Sequence, residues 1–219
     1  DGCSRDPAEA FRINALGTQN VALGCQRANA AMVYISTSEV FDGAKTTPYL
    51  EFDLPHPPNP YGASKLAGES LVQHLLEKFY IVRTVWLYGG EGKFPDKIIA
   101  AAGKSEDKKM YVVTNEIGNP TYAPDLAQAI ARLIPTRHFG VYHLVNEGSC
   151  SRFDWAAQIL EAAGLDDVAL TPITFDQYKR PSTPPLNGAL ENFAAAKLLD
   201  TKLRPWQDAL ADYFRARNP

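Results

Sequence analysis

Hydrophobic positions along this chain switch between two periods. Met32-Val33-Tyr34-Ile35-Ser36 is a continuous apolar run of strand length, and residues 31–36 read as a buried strand of the parallel type. Residues 79–85, 110–113 and 141–145 read as strands on the same ground. Between them, apolar residues recur at helical spacing. Residues 7–29 form the first predicted helix, with Asp6 as N-cap, Pro7 at N1 and Glu9 placed to complete a capping box. A second spans 61–78 and offers Leu66, Leu71, Leu75 and Leu76 to a buried face. Further helices are predicted over 94–102, from Pro124 through Leu133, from the capping pair Ser151 and Asp154 to Ala163 with Gly164 as the stop, and over 192–199 and 206–217. Residues 51–60 read as an extended connector carrying four prolines, and residues 171–185 read as irregular.

Strands alternating with helices imply an α/β fold with a largely parallel sheet. Composition changes this picture little. The 219 residues suffice for a sizeable core, and 45% hydrophobic with 21% charged residues argues against disorder. A net charge of −3 gives no electrostatic case for nucleic acid or an anionic membrane as partner. No run of eighteen apolar residues suggests a membrane span, and no signal peptide opens the chain. Cys3, Cys25 and Cys150 are odd in number and lack metal or redox spacing, which fits thiols in a reducing cytoplasm. His56, His74, His138 and His143 stand apart from one another, so no metal site is expected.

The candidate chemistry lies in Tyr61-Gly62-Ala63-Ser64-Lys65. Tyr61 and Lys65, four residues apart on a helix, share one face. An ammonium beside a phenol favours the phenolate, so Tyr61 is expected to titrate below its ordinary range. Such a phenol can give or take the proton that accompanies hydride transfer at a carbonyl. Thr37, at the end of the first strand run, can hydrogen-bond the same carbonyl oxygen. A Tyr and a Lys at this spacing also occur on ordinary amphipathic faces. Here only Tyr61, of ten tyrosines, has Lys four residues later, and it follows a strand ending in Ser36-Thr37 and an acidic, proline-rich connector.

That order resembles the extended short-chain dehydrogenase/reductase superfamily, whose triad is Ser/Thr, Tyr and Lys. Within it the chain is most similar to the dTDP-4-dehydrorhamnose reductases. The resembling segments are Phe41-Asp42-Gly43, the run from Tyr61 to Glu69, Arg83-Thr84-Val85-Trp86-Leu87-Tyr88-Gly89, the run from Gly118 to Ala127, Gly140-Val141-Tyr142-His143-Leu144, and Arg180-Pro181 with Pro185-Leu186-Asn187. They run through almost the whole chain.

The resemblance implies a modified NAD(P)-binding Rossmann fold, with residues 1–88 and 119–148 on that side. Residues 89–118 and 149–219 would lie mainly in a small C-terminal substrate domain. It implies reduction of the C4 ketone of dTDP-4-dehydro-L-rhamnose by NADPH or NADH. Thr37, Tyr61 and Lys65 would be catalytic; Tyr61, Lys65, Arg83 and Thr84 would meet the cofactor. Ser38, Glu39, Trp86, Asn119, Thr121 and Arg180 would meet the nucleotide-sugar. Trp86 is read equally as a pyranose platform or a core residue, and Arg180 equally as a pyrophosphate contact or a surface charge. Asn14 is a candidate for a proton relay, or makes a local hydrogen bond. Some relatives are described as using Mg²⁺, but no residue grouping marks a site for it. A homodimer is one open state of assembly.

A dinucleotide fold begins with a strand and a glycine-rich turn that brings a pyrophosphate to a helix N-terminus. No such turn occurs here, since Gly89-Gly90-Glu91-Gly92 lies far downstream and reads as a surface loop. On strand-plus-helix spacing, roughly 60–70 residues are expected to precede Asp1 in a longer reductase. The chain by itself is then expected to bind NADP(H) poorly or not at all. One departure matters: the reductases follow Ser-Thr with Asp-Tyr, and this chain has Ser38-Glu39. Thr-Ser-Glu resembles the nucleotide-sugar 4,6-dehydratases. A dehydratase or epimerase, or a non-catalytic regulatory subunit of reductase-like fold, are therefore the rival readings.

Overall fold

The computed structural model describes residues 1–178, 180–199 and 202–217. The chain opens with helices α1 (Gly2–Arg5), α2 (Pro7–Phe11) and α3 (Thr18–Arg27), the last two joined by a π-helical turn at Arg12–Gly17. There follow β1 (Met32–Thr37), α4 (Pro60–Leu75), β2 (Phe79–Thr84), β3 (Leu87–Tyr88), α5 (Phe94–Lys104), β4 (Lys109–Val113), β5 (Ile117–Gly118), β6 (Thr121–Tyr122) and α6 (Ala123–Leu133). The chain then forms β7 (Gly140–His143), β8 (Cys150–Ser151), α7 (Arg152–Ala162), β9 (Ala169–Ile173), α8 (Phe193–Leu199) and α9 (Trp206–Arg217).

Strands β1, β2 and β7 form a parallel sheet in that order. Apolar side chains leave both of its faces, as a doubly covered parallel sheet requires. On one face Met32, Tyr34 and Ile81 pack with Ala22, Val72 and Leu76 from α3 and the α4 region. On the other, Tyr80, Val82 and Tyr142 pack against Leu126, Ala129 and Leu133 of α6, joined by Ala195 and Leu203. This is the Rossmann-like α/β arrangement expected from the pattern. A second core gathers Tyr88, Ile98, Val112, Trp155, Ile159, Trp206, Leu210 and Tyr213 around α5, α7, α9 and the β4–β9 pair. Among the described residues, no helix is long and apolar enough to cross a membrane.

Several caps form as predicted. Asp6 accepts the Glu9 amide at 3.0 Å, although the Glu9 carboxylate pairs with Arg12 and does not turn back on the cap. Ser151 and Asp154 make a full capping box on α7. One expectation fails. Residues 169–173, partly inside the stretch read as irregular, form β9 and pair in parallel with β4. Pro172 hides this strand in the sequence; a proline is tolerated there because the sheet has only two strands, so each is an edge.

Candidate active site

The first turn of α4 sets the site. Asn59 caps it, its Oδ1 accepting the Gly62 amide at 2.9 Å, and Pro60 takes the first helical position. Only glycine fits at position 62, because a Cβ there would stand 1.9 Å from the carbonyl oxygen of Glu39. The helix start therefore presses on the 3-10 turn Ser38–Val40 that follows β1. Tyr61 thus comes to the carboxyl end of the sheet, where Thr37 and Thr84 sit side by side in register. Ligands of open parallel sheets bind outside these strand ends.

The Thr37 hydroxyl accepts the Glu39 amide at 3.2 Å. Burial pushes the Tyr61 phenol up, the Glu39 charge adds to this, and hydrogen bonding to Thr37 works against both. Its net shift is upward, opposite to the lowering expected from Lys65. The reason lies in where the ammonium goes. Lys65 rests its Nζ 4.0 Å from the centroid of the Tyr34 ring, and burial lowers it to about 8 against the opposing charge of Glu69. A cation turned onto an aromatic face and weakened by burial does not acidify the phenol.

Asn14 lies in the π-helical turn, a feature often found at functional positions. Its Nδ2 donates to Ser64 Oγ at 3.0 Å, and that hydroxyl donates to the Tyr61 carbonyl at 2.8 Å. The side chain is thereby joined to α4 between Tyr61 and Lys65.

Opposite stands a charged group. Burial raises the Glu39 carboxyl, while the Asn59 hydrogen bond and the Arg180 charge lower it. Asn59 Nδ2 donates to Glu39 Oε2 at 2.7 Å and to the Thr183 carbonyl at 3.0 Å, which brings the segment beginning at Arg180 over the site. Arg180 pairs with Asp1 at 3.4 Å. Arg152 donates to Glu116 Oε1 from Nε at 3.0 Å and Nη2 at 2.9 Å, and its guanidinium lies 3.7 Å from the centroid of the Trp86 ring.

Residues 1–218 match the family model described as the RmlD substrate binding domain. A curated dTDP-4-dehydrorhamnose reductase from Mycobacterium tuberculosis is 37% identical over 224 residues, covering 99% of this chain and 73% of its own. The chain belongs to the dTDP-4-dehydrorhamnose reductase family. Two solved family members superpose closely. One from Clostridium acetobutylicum has a TM-score of 0.96 at 34% identity, over 100% of this chain and 77% of its own. One from Bacillus anthracis, solved in complex with NADP, has a TM-score of 0.94 at 36% identity, over 99% and 76%. A dTDP-glucose 4,6-dehydratase from Streptomyces venezuelae reaches a TM-score of 0.81 over 100% of this chain and 69% of its own. At 18% identity it shares the fold alone.

Tyr61 meets Thr37 and the charge of Glu39, Thr84 lies beside Thr37 in register, the charge of Arg180 reaches Glu39, and Trp86 lies under Arg152. Three expected contact residues are occupied elsewhere. Arg83 forms a buried two-pronged pair with Glu69, at 3.0 and 2.7 Å, and Ser36 Oγ donates to the same carboxylate at 2.5 Å. Arg83 therefore ties α4 to the sheet through Nε and Nη2, while its Nη1 is buried with no partner among the described residues. Asn119 spends its amide on the Gly148 carbonyl at 2.9 Å and the Leu190 carbonyl and amide at 3.3 and 2.8 Å. Thr121 is fully buried and donates to the Asn119 carbonyl at 3.1 Å. Both side chains pin loops together. Sequence reasoning missed Asn59, Glu116 and Arg152. Asn59-Pro60 ahead of Tyr61 carried a readable N-cap signal, whereas nothing local marks Glu116 or Arg152.

Proposed function

We propose that this chain carries the proton-transfer and sugar-binding residues for reduction of the C4 ketone of dTDP-4-dehydro-L-rhamnose to dTDP-L-rhamnose. The observation that supports this reading is Tyr61 within hydrogen-bonding reach of Thr37, which lies beside Thr84 in register at the carboxyl end of the sheet, with Lys65 one helical turn beyond Tyr61. A phenol held above its ordinary range keeps its proton at neutral pH, and reduction requires a donor. Tyr61 gives that proton to the ketone oxygen as negative charge develops there. Thr37 orients both oxygens. The link Asn14–Ser64–Tyr61 carbonyl fixes the first turn of α4 and supports a relay role for Asn14.

The residues present fit a nicotinamide cofactor: the Thr84 hydroxyl is buried at a strand end with no partner among the described residues, and Lys65 offers a cation one turn from Tyr61. Lys65 would hold the ribose and Thr84 the nicotinamide side. When bound, the nicotinamide supplies the hydride. Ser38, Glu39, Trp86 and Arg180 line the sugar side. We place residues 1–88 with 119–148 on the Rossmann side and residues 89–118 with 149–219 mainly on the substrate side; two separate cores support the division, although Tyr88 and Tyr122 join the second core and Ala195 and Leu203 the sheet's.

The test is to incubate the intact gene product with dTDP-4-dehydro-L-rhamnose and either NADPH or NADH. Formation of dTDP-L-rhamnose with one reduced nicotinamide consumed per product supports the reading. Loss of water from a nucleotide-hexose without net cofactor consumption would instead establish a dehydratase, with Glu39 as its acid.

A further inference from the structure

Residues 180–185 run beside Glu39 and Asn59 with little backbone support. Pro181, Pro184 and Pro185 have no N–H to give. Among the described residues between 178 and 186, one backbone group bonds to the rest of the chain: the Thr183 carbonyl, which accepts from Asn59 Nδ2 at 3.0 Å. The far end is held by packing, since Pro184 and Pro185 are buried and a Cβ on Gly43 would meet Pro185 at 2.8 Å. Beyond it the Leu186 carbonyl accepts the Ile117 amide at 2.7 Å. At the near end Arg180 pairs with Asp1 at 3.4 Å, a surface contact worth little.

Asn59 meets this segment with a buried amide whose hydrogens are both used. Its Oδ1 accepts the Gly62 amide at 2.9 Å and so caps the helix start that carries Tyr61. Because Oδ1 takes a donor, Nδ2 is the donating side. It gives one hydrogen to Glu39 Oε2 at 2.7 Å and the other to the Thr183 carbonyl at 3.0 Å. One planar group therefore touches the first turn of α4, the carboxylate beside Tyr61 and the segment that carries Arg180. No other side chain offers an acceptor and two donors at this reach. Asp has acceptors alone, and Ser has a single short hydroxyl.

We infer that Asn59 is a positioning residue: it latches residues 180–185, with Arg180, to Glu39 and to the first turn of α4. This rests on the reductase reading, in which Glu39 and Arg180 stand on the sugar side, and gives both a common anchor with Tyr61. The latch therefore acts on binding of the nucleotide-sugar and not on binding of the cofactor.

In the intact gene product, Asn59→Asp retains the cap and loses both donors. KM for dTDP-4-dehydro-L-rhamnose should rise about tenfold, the loss expected of one or two hydrogen bonds, while KM for NADPH or NADH stays within about twofold. Asn59→Ser, which also caps but reaches neither Glu39 nor Thr183, should do the same. Nitrogen-15 relaxation of the ligand-free protein reads the latch itself. The Thr183 amide should have an order parameter of about 0.85 in wild type and below about 0.6 in both variants. Adding Glu39→Gln to Asn59→Asp restores a bond between positions 39 and 59 with donor and acceptor exchanged, yet gives Thr183 no donor, so its order parameter should stay low. A Thr183 amide as ordered in a folded variant as in wild type, or a rise in both KM values together, overturns the inference. So does a wild-type Thr183 amide already below about 0.6. If the wild-type protein does not reduce the ketone, the reductase reading alone falls, because the order parameters are measured without substrate.

Discussion

At Lys65, burial competes with charge. The ammonium belongs to a side chain half-buried against Tyr34, and burial lowers it from 10.5 to about 8. An unfolded chain binds this proton more tightly than the folded one. The cost of holding the charge is thus fully present below pH 8 and is relieved as pH rises from about 8 towards 10.5. Lys65→Met should therefore be more stable than wild type at pH 7, by about 1–2 kcal/mol after allowance for screening, and should lose activity. Urea unfolding at pH 7 and pH 10 measures this: wild type gains stability over that interval from this group, and the variant does not. A stabilising substitution that abolishes function is the signature of a residue kept for chemistry. Nearby, Glu69 and Arg83 show the contrary case, a buried pair whose charges answer each other; removing either partner would strand the other and cost about 3–5 kcal/mol.

At the scale of elements, the site depends on where α4 begins. Gly62 lets its first turn touch the Glu39 carbonyl, and the turn carries Tyr61 with it. Gly62→Ala should push that turn off the 3-10 turn Ser38–Val40. We expect kcat to fall about 10²-fold through misplacement of the phenol, with a loss of thermal stability as well. Steady-state kinetics with thermal unfolding reads both; full activity would show that the contact is not what places Tyr61. This helix was legible in the sequence because its signals are local: Asn59 and Pro60 start it, and its apolar face is periodic. The strands β1, β2 and β7 were legible for the same reason, as continuous apolar runs. The π-helical turn around Asn14 was not, since it arises from packing against α4 rather than from any residue within it. Strand β9 was hidden by Pro172. Arg83, Asn119 and Thr121 lie in family-like segments, and that likeness could not show that Arg83 would pair with Glu69 or that the side chains of Asn119 and Thr121 would bond to loop backbone. Arg152 and Glu116 were invisible because they are 36 residues apart and meet only in the fold.

Across the whole molecule, one buried histidine couples the sheet to pH. His143 is fully buried on β7, donating from Nδ1 to the Tyr49 carbonyl at 3.1 Å, and lies next to Arg83 in register. Burial, with the charge of Arg83, lowers it from 6.5 to about 3. The unfolded chain takes up this proton first as pH falls. Stability contributed by neutral His143 is complete above 6.5 and is lost progressively towards pH 3. Glu39 and Glu51 oppose this above 4.5, because burial raises both carboxyls and the folded chain protonates them first. The unfolding free energy should therefore decline between pH 6.5 and 5, by at most about 1.4 kcal/mol per pH unit, and His143→Gln should flatten that limb. Denaturant titrations at several pH values check it; a His143→Gln profile as steep as wild type would contradict the role given to His143.

The role given to Tyr61 is the point on which the functional account stands. The decisive measurement is kcat for NADPH- or NADH-dependent reduction of dTDP-4-dehydro-L-rhamnose by Tyr61→Phe, set beside wild type in the intact gene product. The account predicts a fall of about 10²–10⁴-fold with unfolding and substrate KM little changed. A Tyr61→Phe enzyme that turns over within tenfold of wild type would contradict it.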